Sequence, residues 1–245
     1  MAEKEKGRFL AAVKKATAVD KLNSAIIFGP SGVGKTVLAA SSDAIEDYAP
    51  VLIVDIEGSA AGVGRLYPNV DVIEADTFEK LEDVKRSLLE DEHPYKTIIF
   101  DTLNVAQDRA LAHFTELYTG YAIWGELKRW TVDFVRDFHH SDMLVFFIAH
   151  AKQDKDDNTG RIETTVKIAS GAVSEVPTVV DLVGYMQWEQ DGEGQMRRTL
   201  LVDKHPSIVT KNRFGLDGKI YDPTMLEIQK EISAASIPAE EKEKD

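Results

Sequence analysis

AIIFGPSGVGKTVLAA, residues 25–40, decides how the rest of the chain is read. An apolar run from Ala25 to Phe28 enters a glycine-rich octet and leaves into VLAA, a helix-forming stretch. The octet Gly29, Pro30, Ser31, Gly32, Val33, Gly34, Lys35, Thr36 fits G-x-x-x-x-G-K-[ST] at every fixed position, between a strand and a helix as that motif requires. Its glycines free backbone N–H groups to converge on phosphate oxygens, and the helix that follows turns its positive end toward them. All eight residues are therefore expected around a nucleotide, ATP, with Lys35 reaching the β- and γ-phosphates and the Thr36 hydroxyl holding Mg²⁺. The same loop serves kinases, switches, motors and recombinases, so the remaining residues must say what the nucleotide does.

Outward from the octet, short apolar runs recur at 51–54 (VLIV), 71–74 (DVIE), 97–100 (TIIF) and 143–149 (MLVFFIA). Helical stretches at 36–47, about 78–90 and 104–139 lie between them. Continuous apolar strands alternating with helices predict an α/β fold with a mainly parallel sheet flanked by helices. Beyond residue 180 the pattern changes: LVGYMQWEQ, a DGEG turn at 191–194 and MRRTLLVD read as an antiparallel C-terminal hairpin, with a second turn at FGLDGKI.

The totals narrow the setting. A chain of 245 residues can bury a sizeable core, and 43% apolar with 29% charged residues describes an ordinary globular protein. No apolar run is long enough to span a bilayer, and MAEKEKGRFL is charged rather than signal-like, so no membrane and a cytoplasmic location are expected. The absence of cysteine excludes disulfides, thiolate metal sites and cysteine nucleophiles. A net charge of −13 repels nucleic acid on average, so any such partner must meet a local basic patch.

Two strand ends supply carboxylates. KTIIFDT offers Asp101 for Mg²⁺, which takes few protein ligands and keeps waters. VLIVDIEGSA, 51–60, ends in Asp55 and Glu57, which strand alternation would put on one side. One of them could orient and deprotonate a water for attack on the γ-phosphate, a device that a kinase acting on a small acceptor does not use.

The loop, VDIEGS, DTFEKLEDVKRSL and IIFDT, in that order, resemble the ATPase core of RecA-type recombinases over about residues 23–215. Within that superfamily the chain is most similar to small phage-encoded RecA-like ATPases linked to single-strand annealing and recombination. The resemblance implies Glu57 as catalytic glutamate, Asp101 as second metal residue, and His150 at the end of FFIAH as γ-phosphate sensor, where better-known recombinases carry glutamine. It implies a homo-oligomer, ring or filament, with ATP between protomers. KNRFG resembles a K-x-R element by which Lys211 and Arg213 would reach a neighbour's ATP, although a basic strand edge would look the same. FLAA, 9–12, has the F-x-x-A form of a protomer-docking arm through Phe9 and Ala12, though a helix packing on its own core explains it equally. The divisions that follow are an N-terminal helix or docking arm over 1–22, a RecA-like ATPase domain over 23–225, and a C-terminal helix with an acidic tail over 226–245.

Single-stranded DNA is the partner this implies. The polar stretch 151–173 stands where RecA-like proteins carry a mobile DNA loop, but Lys152, Lys155, Arg161 and Lys167 are balanced there by four acids. The stretch 196–213 is more basic, with Arg197 and Arg198 among its cations. Tyr118, Tyr121, Trp124 and Trp130 could stack on bases, yet helical spacing favours core or interface packing. Nothing in the sequence selects the adenine-stacking residue; Arg65 and Tyr67 lie in the region. Other readings are an ATPase whose partner is a single-strand binding, annealing or replication protein, and a nucleotide kinase, whose loop GPSGVGKT also resembles.

Overall fold

Ser-Ala-Ile-Ile-Phe-Gly carries apolar side chains on both faces and no charge, which suits a strand covered on both sides. In the computed structural model, which describes residues 21–155, 160 and 162–235, this segment is β1 (Ser24–Gly29), buried throughout. The strands that follow are β2 (Val51–Asp55), β3 (Asp71–Glu74), β4 (Thr97–Asp101), β5 (Leu144–Lys155), β6 (Ile162–Val166), β7 (Leu182–Gln190), β8 (Met196–Leu201), β9 (Lys211–Asn212) and β10 (Lys219–Tyr221). Their order across the sheet is β3-β2-β4-β5-β1-β7-β8-β10. The first six of these are parallel to one another. β8 and β10 close the far edge antiparallel, while β6 returns along β5 and β9 along β7. The expected parallel sheet with a C-terminal antiparallel hairpin is thus the observed one.

Helices α1 (Lys35–Ala40), α2 (Phe78–Glu90), α3 (Leu103–Leu117), α4 (Tyr121–His139), α5 (Ser170–Val173), α6 (Val176–Val179) and α7 (Met225–Ala235) cover the two faces. Period-two alternation divides β1 between them. Ile26 and Phe28 join Leu81, Leu103, Phe134 and Phe138 on one side. Ala25 and Ile27 join Leu38 of α1 and Met225, Ile228 and Ile232 of α7 on the other. Phe100 sits at the centre of the first cluster, its ring 4.9 Å from Phe134 and 4.6 Å from Phe138.

Three details depart from the sequence expectations. The helix foreseen over 36–47 stops at Ala40 and tightens to a 3₁₀ turn, Ser41–Ala44, where the Ser41 hydroxyl donates back to the Leu38 carbonyl and accepts from the Met225 amide. The stretch 104–139 is two helices, broken at Gly120, whose φ of 61° glycine adopts without penalty. Trp130 packs on Phe134 as core spacing implied, but Tyr121 and Trp124 are exposed, at 94% and 54%. Phe9, Ala12 and Arg161 lie outside the described residues. Among the described residues, no helix is long and apolar enough to cross a membrane.

At the N-terminal end of β1, Asp181 accepts from the Asn23 and Ser24 amides, and the Ser24 hydroxyl meets Nδ1 of His139 at 2.7 Å. Burial holds the His139 imidazole below its ordinary pKa, opposed by Asp181 and assisted by Arg213, His140 and Lys211. Because the folded value is the lower one, the unfolded chain binds the proton first as pH falls. Stability should therefore decline through the ordinary histidine value, about 6.5, and level off once the folded protein also protonates. Thermal melts across that range should show the decline in the wild type, and His139→Gln should flatten it.

Candidate active site

Parallel strands in this order leave a crevice at their C-terminal ends beside β1, where ligands bind in open α/β sheets. The turn out of β1 is possible because of glycine. A β-carbon on Gly29 would lie 2.1 Å from the Met186 carbonyl oxygen of β7. Gly32 and Gly34 then take φ of 74° and 97°, conformations that favour glycine, and Gly34 caps α1 without a side-chain cap. The Lys35 ammonium curls back to the carbonyls of Gly29 (3.2 Å) and Pro30 (2.8 Å). Burial pulls its pKa down, against the opposing charges of Asp101 and Glu57.

β2 and β4 are neighbours in register, so Asp55 and Asp101 end their strands side by side. They do different work. Asp101 accepts from the Thr36 hydroxyl at 2.8 Å and from the Ser59 hydroxyl at 3.4 Å. Burial raises its pKa above the usual carboxylate value; the Thr36 bond acts the other way, Glu57 and Asp55 raise it further, and Lys35 lowers it. Asp55 is enclosed by backbone: it accepts from the amides of Gly58 (2.7 Å), Ser59 (3.0 Å) and Ala60 (3.1 Å).

That enclosure corrects the expectation that Asp55 and Glu57 alternate along one strand. β2 ends at Asp55, and the chain bends so that the amides of Ile56 and Glu57 both donate to the Asp101 carbonyl, at 2.8 and 3.2 Å. Asp55 braces the bend and Glu57 lines the cleft. One Glu57 oxygen accepts from the Thr102 hydroxyl at 3.2 Å, and the other lies 3.4 Å from Nε2 of His150. His150 is held in turn by its own amide, which donates to Asn104 of α3 at 3.1 Å. The cleft so formed has a volume of about 410 Å³, and Gly34, Lys35, Thr36, Glu57, Asp101 and His150 are among its lining residues.

Mg²⁺ favours oxygen ligands. The Thr36 hydroxyl, Asp101 carboxylate and Ser59 hydroxyl are all oxygen donors gathered at one point, so they fit the ion. Among the described residues no cluster of His, Asp or Glu could hold a metal unaided, so the ion would complete its shell with phosphate and water.

The remaining predicted residues lie elsewhere. The Lys211 ammonium donates to the carbonyls of Pro177, Thr178 and Val180, which makes it a brace around α6 and not a free cation. Arg213 pairs with Asp181 at 2.9 Å and donates to the carbonyls of Thr178 and Val179. Lys152 pairs with Asp154 on the β5–β6 hairpin, where Lys155 and Lys167 are exposed. Arg197 pairs with Asp222, and Arg198 rests against Gly34 of the phosphate loop. Sequence reasoning missed Ser59, Thr102 and Asn104. Thr102 could have been found as the residue following Asp101, whereas nothing in the sequence marked Asn104.

Asp55 offers a test of this geometry. Asp55→Ala leaves three amides without their acceptor, at a cost of roughly 2–3 kcal/mol, since bonds to a charged group are the stronger ones. Urea unfolding should register that loss, and Asp55→Asn, which retains one oxygen, should fall between.

A search of the curated proteins finds no match. Among solved structures the chain is similar to the crystal structure of the RadB recombinase, at 14% identity and a TM-score of 0.46, over 76% of this chain and 84% of that one. The family described as AAA domain matches residues 21–214, from just before β1 to just after β9. The chain therefore belongs to the AAA domain family.

Proposed function

We propose that the protein hydrolyses ATP to ADP and phosphate as a RecA-like assembly acting on single-stranded DNA in recombination or annealing. The observation that carries the hydrolytic part is the placing of Glu57: its carboxylate faces the same cleft as Lys35, Thr36 and Asp101, oriented by Thr102 and approached by His150. Lys35 exchanges its carbonyl partners for the β- and γ-phosphate oxygens. Thr36 and Asp101 would hold Mg²⁺, which when bound would supply positive charge beside those oxygens. Glu57 accepts a proton from a water, the water oxygen bonds to the γ-phosphorus, and the bond to the bridging oxygen of ADP breaks. His150, within reach of Glu57, is placed to register whether the terminal phosphate is still attached. A kinase acting on a small acceptor would gain nothing from Glu57 in this position.

Assembly draws support from the other edge of the sheet. β3 is exposed along its whole length and, among the described residues, pairs only with β2. Beside it runs a groove of about 400 Å³ lined by Leu52, Ile73, Val84, Leu88 and Tyr95 among others. An apolar groove next to an unpaired edge suits an aromatic anchor on an added strand. We assign it to Phe9 and Ala12 of a second copy. Arg213, its side chain 40% exposed, remains the residue for a neighbour's γ-phosphate, provided the interface releases it from Asp181. The resemblance to annealing ATPases also suggests a phage-encoded protein working in the host cytoplasm. A second reading, in which the partner is a single-strand binding or annealing protein, is favoured by the net charge of −13 and the pairing of Lys152 with Asp154.

Phosphate release measured at rising protein concentration, with and without single-stranded DNA, tests the proposal. The rate per chain should climb with both; no release under any condition overturns it, and stimulation by a single-strand binding protein but not by DNA selects the second reading. Glu57→Gln should keep ATP binding and lose about 100-fold or more in turnover, the ordinary contribution of a general base. Mixing Lys35→Ala with Arg213→Ala chains should restore activity that each lacks alone. Phe9→Glu should shift the protein to monomers in light scattering.

A further inference from the structure

The acidic groups of the cleft, Glu57 and Asp101, come from just after β2 and from the end of β4, on one side of β1. On the other side stand β7 and β8, and Arg198 belongs to β8. Its guanidinium touches the phosphate loop: Nη1 lies 3.1 Å, and Cδ 3.7 Å, from where a β-carbon on Gly34 would be. Arg197 next to it is committed, paired with Asp222 at 2.8 Å and lying over the Tyr221 ring. The Arg198 head group, by contrast, has no hydrogen-bonded or ion-paired partner among the described residues. Guanidinium groups match phosphate oxygens in pairs of bonds, so an uncommitted one laid on a phosphate loop is a binding group.

Trp188 belongs with it. Trp188 and Arg198 are register partners across the β7–β8 hairpin. The preceding pair on the same face, Met186 and Leu200, is fully buried in the cluster that contains Leu38 and Ala39 of α1. Alternation every second residue carries that face outward to Trp188 and Arg198. Met186 also approaches Gly34, its Cε 3.7 Å from the same β-carbon position. The result is an indole 52% exposed on the strand position opposite Arg198, with β7 and β8 on the side of β1 away from β2 and β4. A nucleotide that runs from Glu57 across the loop toward β7 and β8 would meet these two side chains. Tyr67 packs against the α1-side cluster.

We propose that Trp188 and Arg198 form the nucleoside end of the site, the guanidinium binding the phosphate nearest the ribose and the indole face stacking on the base. This rests on the cleft being an ATP site. Stacking reads ring area and not base edges, so the pair favours purines over pyrimidines without separating adenine from guanine.

Calorimetric titration of the full chain with Mg²⁺-ATP and with Mg²⁺-tripolyphosphate, which has no base, tests it. Trp188→Ala should weaken ATP binding about tenfold, the usual order for one stacked base, and leave tripolyphosphate binding unchanged. Trp188→Phe should recover most of the loss. Arg198→Ala should weaken both ligands. Both side chains are partly exposed, so thermal melts should show folded variants. Unchanged ATP binding in Trp188→Ala and Arg198→Ala overturns the inference alone, as does equal loss of ATP and tripolyphosphate in Trp188→Ala. A wild-type chain that binds neither ligand overturns the ATP-site reading, and this inference with it.

Discussion

The hydrogen bond from the Thr36 hydroxyl to Asp101 ties the helix after β1 to a strand that is not β1's neighbour. Thr36 begins the helix after β1, Asp101 ends β4, and β5 runs between them. The bond exists because the sheet order places β4 two strands from β1 with both C-terminal ends on one rim. Around it the rest of the cleft is arranged. Asp101 also receives Ser59, its carbonyl receives the amides of Ile56 and Glu57, and the following residue, Thr102, holds the Glu57 carboxylate. One strand end thus anchors the Thr36 hydroxyl, the bend after β2 and the direction of the Glu57 carboxylate.

This arrangement is costly before any ligand arrives. Lys35 and Asp101 are both shifted toward their neutral forms by burial, and each is restrained by the opposite charge of the other. A buried charge with partial compensation is a standing penalty, tolerated where its charge will be used. Asp55 shows the contrasting case. It is as buried as the others, yet three backbone amides satisfy it, so it serves the fold.

The basic residues separate along the same physical line. A guanidinium or ammonium near a chain end of carbonyls will take them, as Lys211 and Arg213 do around α6. Arg197 finds Asp222. The Arg198 guanidinium has no hydrogen-bonded partner among the described residues and lies against the phosphate loop. What a cation does in this protein follows from which acceptors the folded chain leaves within reach, not from how basic its neighbourhood reads in sequence.

Hence the division between what could be read and what could not. The octet at 29–36, the strands at 51–54, 97–100 and 143–149, the parallel sheet and the antiparallel hairpin were all legible, because phosphate-loop geometry and burial on two faces impose local patterns of residue type. Glu57 and Asp101 were legible as acids at strand ends. The separate positions of Asp55 and Glu57 were not, since they depend on where β2 stops, which is set by the amides that Asp55 and Asp101 draw toward them. Asn104 beneath His150, the engagement of Lys211, and Arg198 on Gly34 were equally out of reach. Each joins residues more than thirty positions apart, and only the packed sheet, by deciding which strands lie side by side, brings such side chains within hydrogen-bonding or contact distance.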